Sequence, residues 1–159
     1  MSNSEKLVCA IGLVTVIAAL FALPIIPRAS EHLRDIDKNT HYSLIPKEVK
    51  VLRVSPQTIK DIYCKHHKCN AAPIAISYDG VIYISDVINP SSDYYDSIIY
   101  HETIHVVQFL NLGNAHSCNE WRRREHEAYS LQYMYNSKRE YDTTEIETII
   151  PYIDSLCKE

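Results

Sequence analysis

Residues 101–105 read HETIH, an H-E-x-x-H pattern set in an apolar stretch. On an α-helix, residues four apart lie about 40° apart around the axis, because 3.6 residues make one turn. His101 and His105 would therefore share one helix face, where two imidazole nitrogens can hold one Zn²⁺. Glu102 would lie beside that face, close enough to act on a water at the metal without binding the metal itself. The pattern predicts a helix that carries a metal site.

The residues around the motif also favour a helix. Apolar positions recur at three- and four-residue spacing, which is typical of a helix with one buried face. Residues 89–92 (NPSS) offer N-cap chemistry before the motif, and Gly113 is suited to the C′ position after it. The alternative is a solvated His/Glu face on an ordinary helix. It agrees poorly with the apolar residues around the motif, since buried charges are rarely left without a partner.

The composition suits one folded domain. The chain has 159 residues and a net charge of -4, with acidic and basic residues interspersed. No basic stripe is present, which argues against a nucleic-acid partner. Its 3 Gly against 12 Tyr exclude a linker-like or low-complexity chain.

Residues 7–26, LVCAIGLVTVIAALFALPII, contain no charged residue. A helix of this length spans about 30 Å, the thickness of a bilayer core. The stretch is longer than the apolar region of a typical cleaved signal, and no convincing small-x-small cleavage site follows it. We therefore expect residues 1–28 to be a single-pass membrane anchor or uncleaved signal. Residues 29–46 should be a polar tether, leading to a folded domain over residues 47–159.

The cysteines decide on which side of the membrane this domain is expected. Positive charges after the apolar run, at Arg28, Arg34 and Lys38, argue against export by the positive-inside rule. Four cysteines remain outside the apolar run, namely Cys64, Cys69, Cys118 and Cys157. An even count suits two disulfides in an oxidising compartment. We therefore expect export, with the domain on the periplasmic or extracellular face.

Cys64 and Cys69 are close in sequence, and their local pairing leaves Cys118 to pair with Cys157. A second zinc site is the alternative, since residues 64–69 (CKHHKC) mix thiols with imidazoles. That segment lacks the usual C-x₂₋₄-C and H-x₃₋₅-H halves of a zinc site. The two disulfides are therefore preferred.

Strands come first in the folded part, and helices follow. Residues 49–54 (VKVLRV) alternate as a half-buried strand does, and Ser55-Pro56 predicts a helix from Pro56 to about residue 65. Residues 74–78 and 81–84 are β-rich and joined by Asp-Gly, which predicts a hairpin with a type I′ turn.

Helices are expected over the HETIH stretch, over residues 121–137, and over residues 144–156 with an interruption at Pro151. This order predicts an α+β fold, in which a small antiparallel sheet with a hairpin packs on the motif helix and on a second, ligand-bearing helix. An exposed sheet edge can hold an extended peptide by backbone hydrogen bonds, and Val81–Ser85 is the candidate for that edge. An ordinary core hairpin is the open alternative for this strand.

A catalytic zinc usually has three protein ligands and one open position for water. A third histidine in an H-E-x-x-H-x-x-G-x-x-H pattern is excluded, because Gln108 and Asn111 stand at the positions of that Gly and His. Residues 124–132 (REHEAYSLQ) offer a carboxylate on a second helix. Glu125 and Glu127 lie about 200° apart on a helix, so only one of them can face the metal.

Glu125 is preferred, because Ala128 on its face would let two helices approach closely. Glu127 shares its face with Leu131, which is typical of a boundary, and His126 points about 100° away from Glu125. The expected metal ligands are therefore His101, His105 and Glu125.

These motifs resemble a known family. H-E-x-x-H-x-x-Q (His101 to Gln108), a loop cysteine (Cys118) and R-E-x-x-A-Y-x-x-Q (Arg124 to Gln132) are similar to the small zincin-like metallopeptidases of exported bacterial proteins. The resemblance covers about residues 47–135 and implies a zincin fold and a Zn²⁺ cofactor. More distant gluzincins carry E-x-x-x-D on the second helix. Here Glu125 matches the ligand, but Tyr129 stands where Asp would be, which leaves the partner of the zinc-bound histidines unassigned.

The resulting hypothesis is a membrane-anchored zinc metallopeptidase that acts on a peptide or protein substrate. Glu102 would take the proton of a water and pass it to the leaving amine. Tyr129 is the candidate for stabilising the oxyanion, with a Tyr from residues 94–100 or His116 as alternatives.

Two other classes of protein compete with this hypothesis. A non-catalytic zinc-binding or partner-binding domain at the cell envelope would not need Glu102, and a structural zinc site would be closed by four ligands. A metal-free envelope protein stabilised by disulfides is the other alternative.

Overall fold

The computed structural model describes residues 29–66 and 72–157. The elements in this part of the chain follow in the order α1 (Ala29–Asn39), β1 (Lys50–Val54), α2 (Pro56–His66), β2 (Ala75–Tyr78), β3 (Val81–Ser85), α3 (Asp93–Leu112), α4 (Cys118–Lys138) and α5 (Thr144–Ser155). The α+β class is confirmed. The expected membrane anchor, residues 7–26, lies outside the described residues. Among the helices that are described, none combines the length and the apolar character needed to cross a membrane.

The sheet is mixed, not antiparallel as expected. Its strand order is β1-β3-β2, with β1 parallel and β2 antiparallel to β3. Parallel strands need a long crossover, and α2 and β2 together supply it between β1 and β3. The hairpin itself is confirmed, because Asp79 (φ 49°) and Gly80 (φ 75°) both adopt the positive φ of a type I′ turn.

β3 lies at the centre of the sheet, so the expectation that Val81–Ser85 forms an exposed peptide-binding edge is wrong. Both of its sides are paired, one with β1 and the other with β2. Its Ile82 and Ile84 are fully buried in an apolar cluster that includes Ile99 of α3. The edges of the sheet are β1 and β2, because the strand order β1-β3-β2 places β3 between them.

α3 begins and ends where its capping residues indicate. The Ser92 side chain accepts a hydrogen bond from the Tyr95 backbone N–H at 3.1 Å, and the Gly113 N–H bonds to the Phe109 carbonyl at 2.9 Å. The helix is buried on two sides. One side packs on the sheet, and the other packs Tyr100 and Ile104 against α1 and α4. The motif helix therefore lies at the centre of the domain.

The segment expected to be a tether, residues 29–46, contains α1, which packs into the core. Leu33 and Ile36 of α1 are buried, and so is His32. The His32 Nε2 lies 3.1 Å from Asp96 Oδ1 of α3 and 3.0 Å from Tyr135 Oη of α4. The apolar positions of α1 are few among many charges, which is why its composition suggested a tether.

The two C-terminal helices differ slightly from the expectation. α4 begins earlier, at Cys118, because the Ser117 side chain caps it by accepting from the Glu120 N–H at 3.1 Å. α5 continues through Pro151 without the expected interruption. Ile146 and Ile153, on either side of Pro151, are both buried, so packing holds the two halves of α5 in place.

The expected disulfide between Cys118 and Cys157 is present, with the two Cα atoms 5.7 Å apart. It joins the start of α4 to the end of α5. For the other expected pair, Cys64–Cys69, the second partner lies outside the described residues, so that pairing stays a prediction.

Loss of the Cys118–Cys157 bond should destabilise the domain clearly. The bond closes a loop with a sequence separation of 39 residues. In the chain-entropy model, replacing both cysteines by Ser then lowers the free energy of unfolding by about 3–4 kcal/mol. Urea denaturation of the purified protein measures this. Either single substitution should cost about as much as the double one, and an unchanged midpoint in the double variant would contradict the prediction.

Candidate metal centre

Three donor atoms from α3 and α4 converge in the structure. The Nε2 atoms of His101 and His105 lie 3.0 Å apart. Glu125 of α4 places Oε1 at 3.4 Å from the His105 Nε2, and Oε2 at 3.7 Å from the His101 Nε2. One ligand atom from each residue fits within a group 4.8 Å across. The structure therefore brings together the three residues expected as metal ligands.

The spacing of these donors agrees with a small tetrahedral ion. Ligand atoms at about 2.0–2.1 Å from such an ion lie about 3.3 Å from one another. The two nitrogens lie 3.0 Å apart, and each lies 3.4 or 3.7 Å from one of the two Glu125 oxygens, so the observed separations bracket that value. Two imidazoles and one carboxylate could thus hold a metal ion here.

The tautomer of His101 is fixed by Gln132. The Gln132 Nε2 donates to the Ser97 carbonyl at 3.3 Å and to the Ser97 hydroxyl at 2.8 Å. Because a carbonyl oxygen can only accept, the Gln132 amide cannot be flipped, and its Oε1 must face His101. The His101 Nδ1 lies 3.0 Å from that oxygen and therefore carries the proton. The lone pair of its Nε2 is left pointing at the donor group.

Gln108 fixes His105 in the same way. Its Nε2 donates to the Arg124 carbonyl at 3.0 Å, so its Oε1 faces the His105 Nδ1, at 2.8 Å. Both imidazoles thus direct Nε2 at each other and at the Glu125 carboxylate. Three electron-rich atoms this close need a positive charge among them, which a metal ion can supply and which a second proton on His105 supplies in its place. The donor set fits a metal ion on this ground as well.

The two glutamines are partners that the sequence interpretation left unassigned. Gln108 lies three residues after His105, and Gln132 lies seven after Glu125, so each shares a helix face with a ligand. This spacing is the feature of the sequence from which the two glutamines could have been predicted as partners.

Glu127, the alternative third ligand, supports Gln108 and does not belong to the donor group. Its Oε2 accepts hydrogen bonds from the Gln108 Nε2 at 2.9 Å and from the Tyr42 hydroxyl at 2.6 Å. Tyr42 was missed, since nothing in its sequence neighbourhood indicates a contact 85 residues away. The other alternative, His126, lies 3.6 Å from Asp154 of α5 and takes no part in the donor group.

His105 and Glu125 shift each other's pKa. Burial lowers the pKa of His105, but the Glu125 carboxylate outweighs burial and raises that pKa to about 9. Burial raises the pKa of Glu125, and the two imidazoles more than offset it, which holds the pKa well below its usual range. The carboxylate is therefore ionised at neutral pH, as a metal ligand must be.

Glu102 lies beside the donor group and is not part of it. Its side chain is buried, and burial raises the pKa of its carboxyl group, although His105 and His101 partly oppose the shift. A carboxyl group with a raised pKa is a better base for work near neutral pH. Glu102 is therefore a candidate base, whereas His101, His105 and Glu125 are the residues that could bind the ion.

Tyr129 packs on the other side of His101, with the ring centroids 4.3 Å apart. Burial, followed by the charges of Glu125, Glu102 and Glu145, raises the pKa of its phenol. The hydroxyl thus keeps its proton and is able to donate. Of the alternatives to Tyr129, His116 is exposed, whereas Tyr94 lines the same cavity as His101 and Glu102.

A cavity of about 140 Å³ adjoins the centre. Its walls come from α3, α4, α5 and the start of β2, and they include both Glu102 and Tyr129. A bound molecule in this cavity would therefore meet the two residues expected to act on it.

Family models, curated proteins and solved structures were all compared with this chain, and none of the three comparisons finds a match.

Proposed function

We propose that the protein is a zinc-dependent metallopeptidase with a zincin-like arrangement of its motif helix and second helix. The observation that carries the proposal is the convergence of two tautomer-fixed Nε2 lone pairs with the Glu125 carboxylate, 3.0 to 3.7 Å apart. Glu102 lies next to this group, is buried and takes no part in it. A structural site would need a fourth protein ligand and no such base.

Zinc is the metal that this donor set suits best. Two imidazoles and one carboxylate are a common ligand set of catalytic zinc, and imidazole favours zinc over magnesium or calcium. When bound, Zn²⁺ would supply Lewis acidity, which makes a water more acidic and polarises a carbonyl group.

The residues of the chain itself would perform the remaining steps. Glu102 would take the proton from the attacking water and deliver it to the leaving amine. Tyr129, which keeps its phenolic proton, would donate a hydrogen bond to the oxyanion. Gln108 and Gln132 would hold the two imidazoles in the tautomer that leaves Nε2 available.

The substrate would be a peptide or protein segment in an extended conformation. β2, not β3, is the edge strand that borders the cavity. A peptide that paired with β2 would pass Glu102 in the same way as an added strand. This replaces the peptide-binding role that was expected of Val81–Ser85.

The proposal includes a location at the membrane. The uncharged run of residues 7–26 supports an anchor, and the Cys118–Cys157 disulfide supports an oxidising compartment on the periplasmic or extracellular side.

Metal analysis together with a peptidase assay tests the proposal. We expect one zinc ion per chain in the purified protein, and hydrolysis of an unstructured substrate such as casein that a chelator stops and added Zn²⁺ restores. Absence of zinc binding, measured by titration of the chelated protein, would contradict the proposed centre. Zinc without hydrolysis would support the non-catalytic alternative.

A further inference from the structure

The cavity beside Glu102 has one charged residue that the proposed chemistry does not use. Glu145, in the first turn of α5, lines the cavity. It is exposed to solvent. Tyr94 also lines the cavity, and after burial the charge of Glu145 raises the pKa of its phenol. The Glu145 carboxylate therefore lies near Tyr94 at the cavity wall.

Three isoleucines line the cavity beside its polar residues. Ile98 of α3 and Ile146 of α5 are buried, and Ile149 completes the wall one turn further along α5. No Lys or Arg side chain lies among the described residues that line this cavity. An engineered cavity of about 150 Å³ is large enough for benzene, so a volume of about 140 Å³ admits one side chain.

The balance of charge indicates what kind of side chain this is. Glu125 belongs to the donor group, and Glu102 lies beside it. Glu145 is the carboxylate of this cavity that takes no part in the centre. A carboxylate beside three isoleucines suits a ligand with an aliphatic stem and a cationic end, since the stem can contact the isoleucines and the cation can pair with the carboxylate.

We propose that the side of the cavity formed by α5 is a specificity pocket for a Lys or Arg side chain of the substrate, and that Glu145 recognises its charge. This inference rests on the proposed peptidase function and names the substrate class. The aliphatic stem would lie against Ile98, Ile146 and Ile149, and the ammonium or guanidinium group would reach the Glu145 carboxylate.

Glu147 provides a matched control for Glu145. It lies in the same first turn of α5, where both carboxylates favour the helix N-terminus. It does not line the cavity, and its Oε1 accepts from the Thr143 hydroxyl at 2.8 Å. Removing the charge at either position changes α5 to a similar extent, but only one position faces the cavity.

The first experiment measures cleavage preference. A peptide library is digested by the unchanged protein, Glu145→Gln and Glu147→Gln, and the products are identified by mass spectrometry. We expect one subsite that prefers Lys or Arg over norleucine, the uncharged analogue of Lys, by about ten-fold or more in kcat/KM. Glu147→Gln should keep this ratio, Glu145→Gln should lose it, and Glu145→Lys should shift the subsite towards Asp and Glu. A preference that survives in Glu145→Gln would overturn the proposal.

A binding experiment separates this proposal from the peptidase function. Nα-acetyl-lysine amide and Nα-acetyl-norleucine amide are titrated into the zinc-loaded protein, and NMR signals of residues 145–149 are followed. Stronger binding of the lysine derivative, lost in Glu145→Gln, would support the pocket even if no peptide were cleaved. Cleavage without any preference for Lys or Arg would overturn the pocket and leave the peptidase function in place. Equal binding of the two amides would also overturn it.

Discussion

Glu125→Ala is expected to remove the metal from the protein. The substitution takes away the anionic donor that lies 3.4 Å from His105 Nε2 and 3.7 Å from His101 Nε2, and leaves two imidazoles. A four-ligand structural zinc site contributes about 10–16 kcal/mol, which is about 2.5–4 kcal/mol for each ligand. The loss of one ligand should therefore weaken zinc binding by about 60- to 700-fold. Competition with a chromophoric chelator measures the change.

Glu127→Ala is the matched comparison, because it removes the same carboxylate two residues away. Glu127 supports Gln108, which in turn orients His105. The loss of such a supporting contact typically costs about 10–100-fold in affinity. Gln108 keeps its second anchor, the Arg124 carbonyl, so the lower end of that range is expected. Stronger zinc loss in Glu127→Ala than in Glu125→Ala would exchange the roles of the two residues and contradict the proposed centre.

Glu102→Gln is expected to keep zinc and to lose hydrolysis. The amide has nearly the shape of the carboxyl group, and Glu102 is not one of the three converging donors, so zinc affinity should change by only a few-fold. An amide cannot take the proton from water, and removal of a general base costs about 10²–10⁴-fold in rate. Steady-state hydrolysis of a quenched fluorescent peptide measures the loss, with zinc content determined on the same sample.

Two outcomes for Glu102→Gln would contradict the assignment of roles. Loss of zinc as complete as in Glu125→Ala would make Glu102 a ligand. Full activity with zinc present would mean that another group accepts the proton. His101→Ala completes the comparison, because it should lose both the metal and hydrolysis.

Local signals in the sequence predicted much of this structure. The caps of α3 at Ser92 and Gly113 were readable because capping is a contact between neighbours in sequence. The Asp79-Gly80 turn was readable because few residues adopt positive φ at two successive positions. The choice of Glu125 over Glu127 followed from helix periodicity together with the small Ala128 on the same face.

Features that depend on contacts between residues far apart in sequence could not be predicted from the sequence. The parallel position of β1 beside β3 is decided by packing over the whole sheet, and alternation within VKVLRV carries no information about its neighbour. α1 is polar enough to pass for a tether, and its burial depends on partners such as Asp96 and Tyr135, 64 and 103 residues away. The support that Tyr42 gives to Glu127 has the same long-range origin.

Glutamine amides, and not carboxylates, contact the Nδ1 atoms of both histidines. This difference affects the pH range over which the imidazoles stay oriented. Gln108 and Gln132 do not ionise, and backbone carbonyls hold each of them in place. The amides that orient the imidazoles therefore keep their charge state under acidic conditions that would protonate an aspartate partner. A neutral scaffold also pushes less electron density into the imidazoles than a carboxylate would. An ion held in this way would keep more of its own positive charge and would be a stronger electrophile towards the substrate.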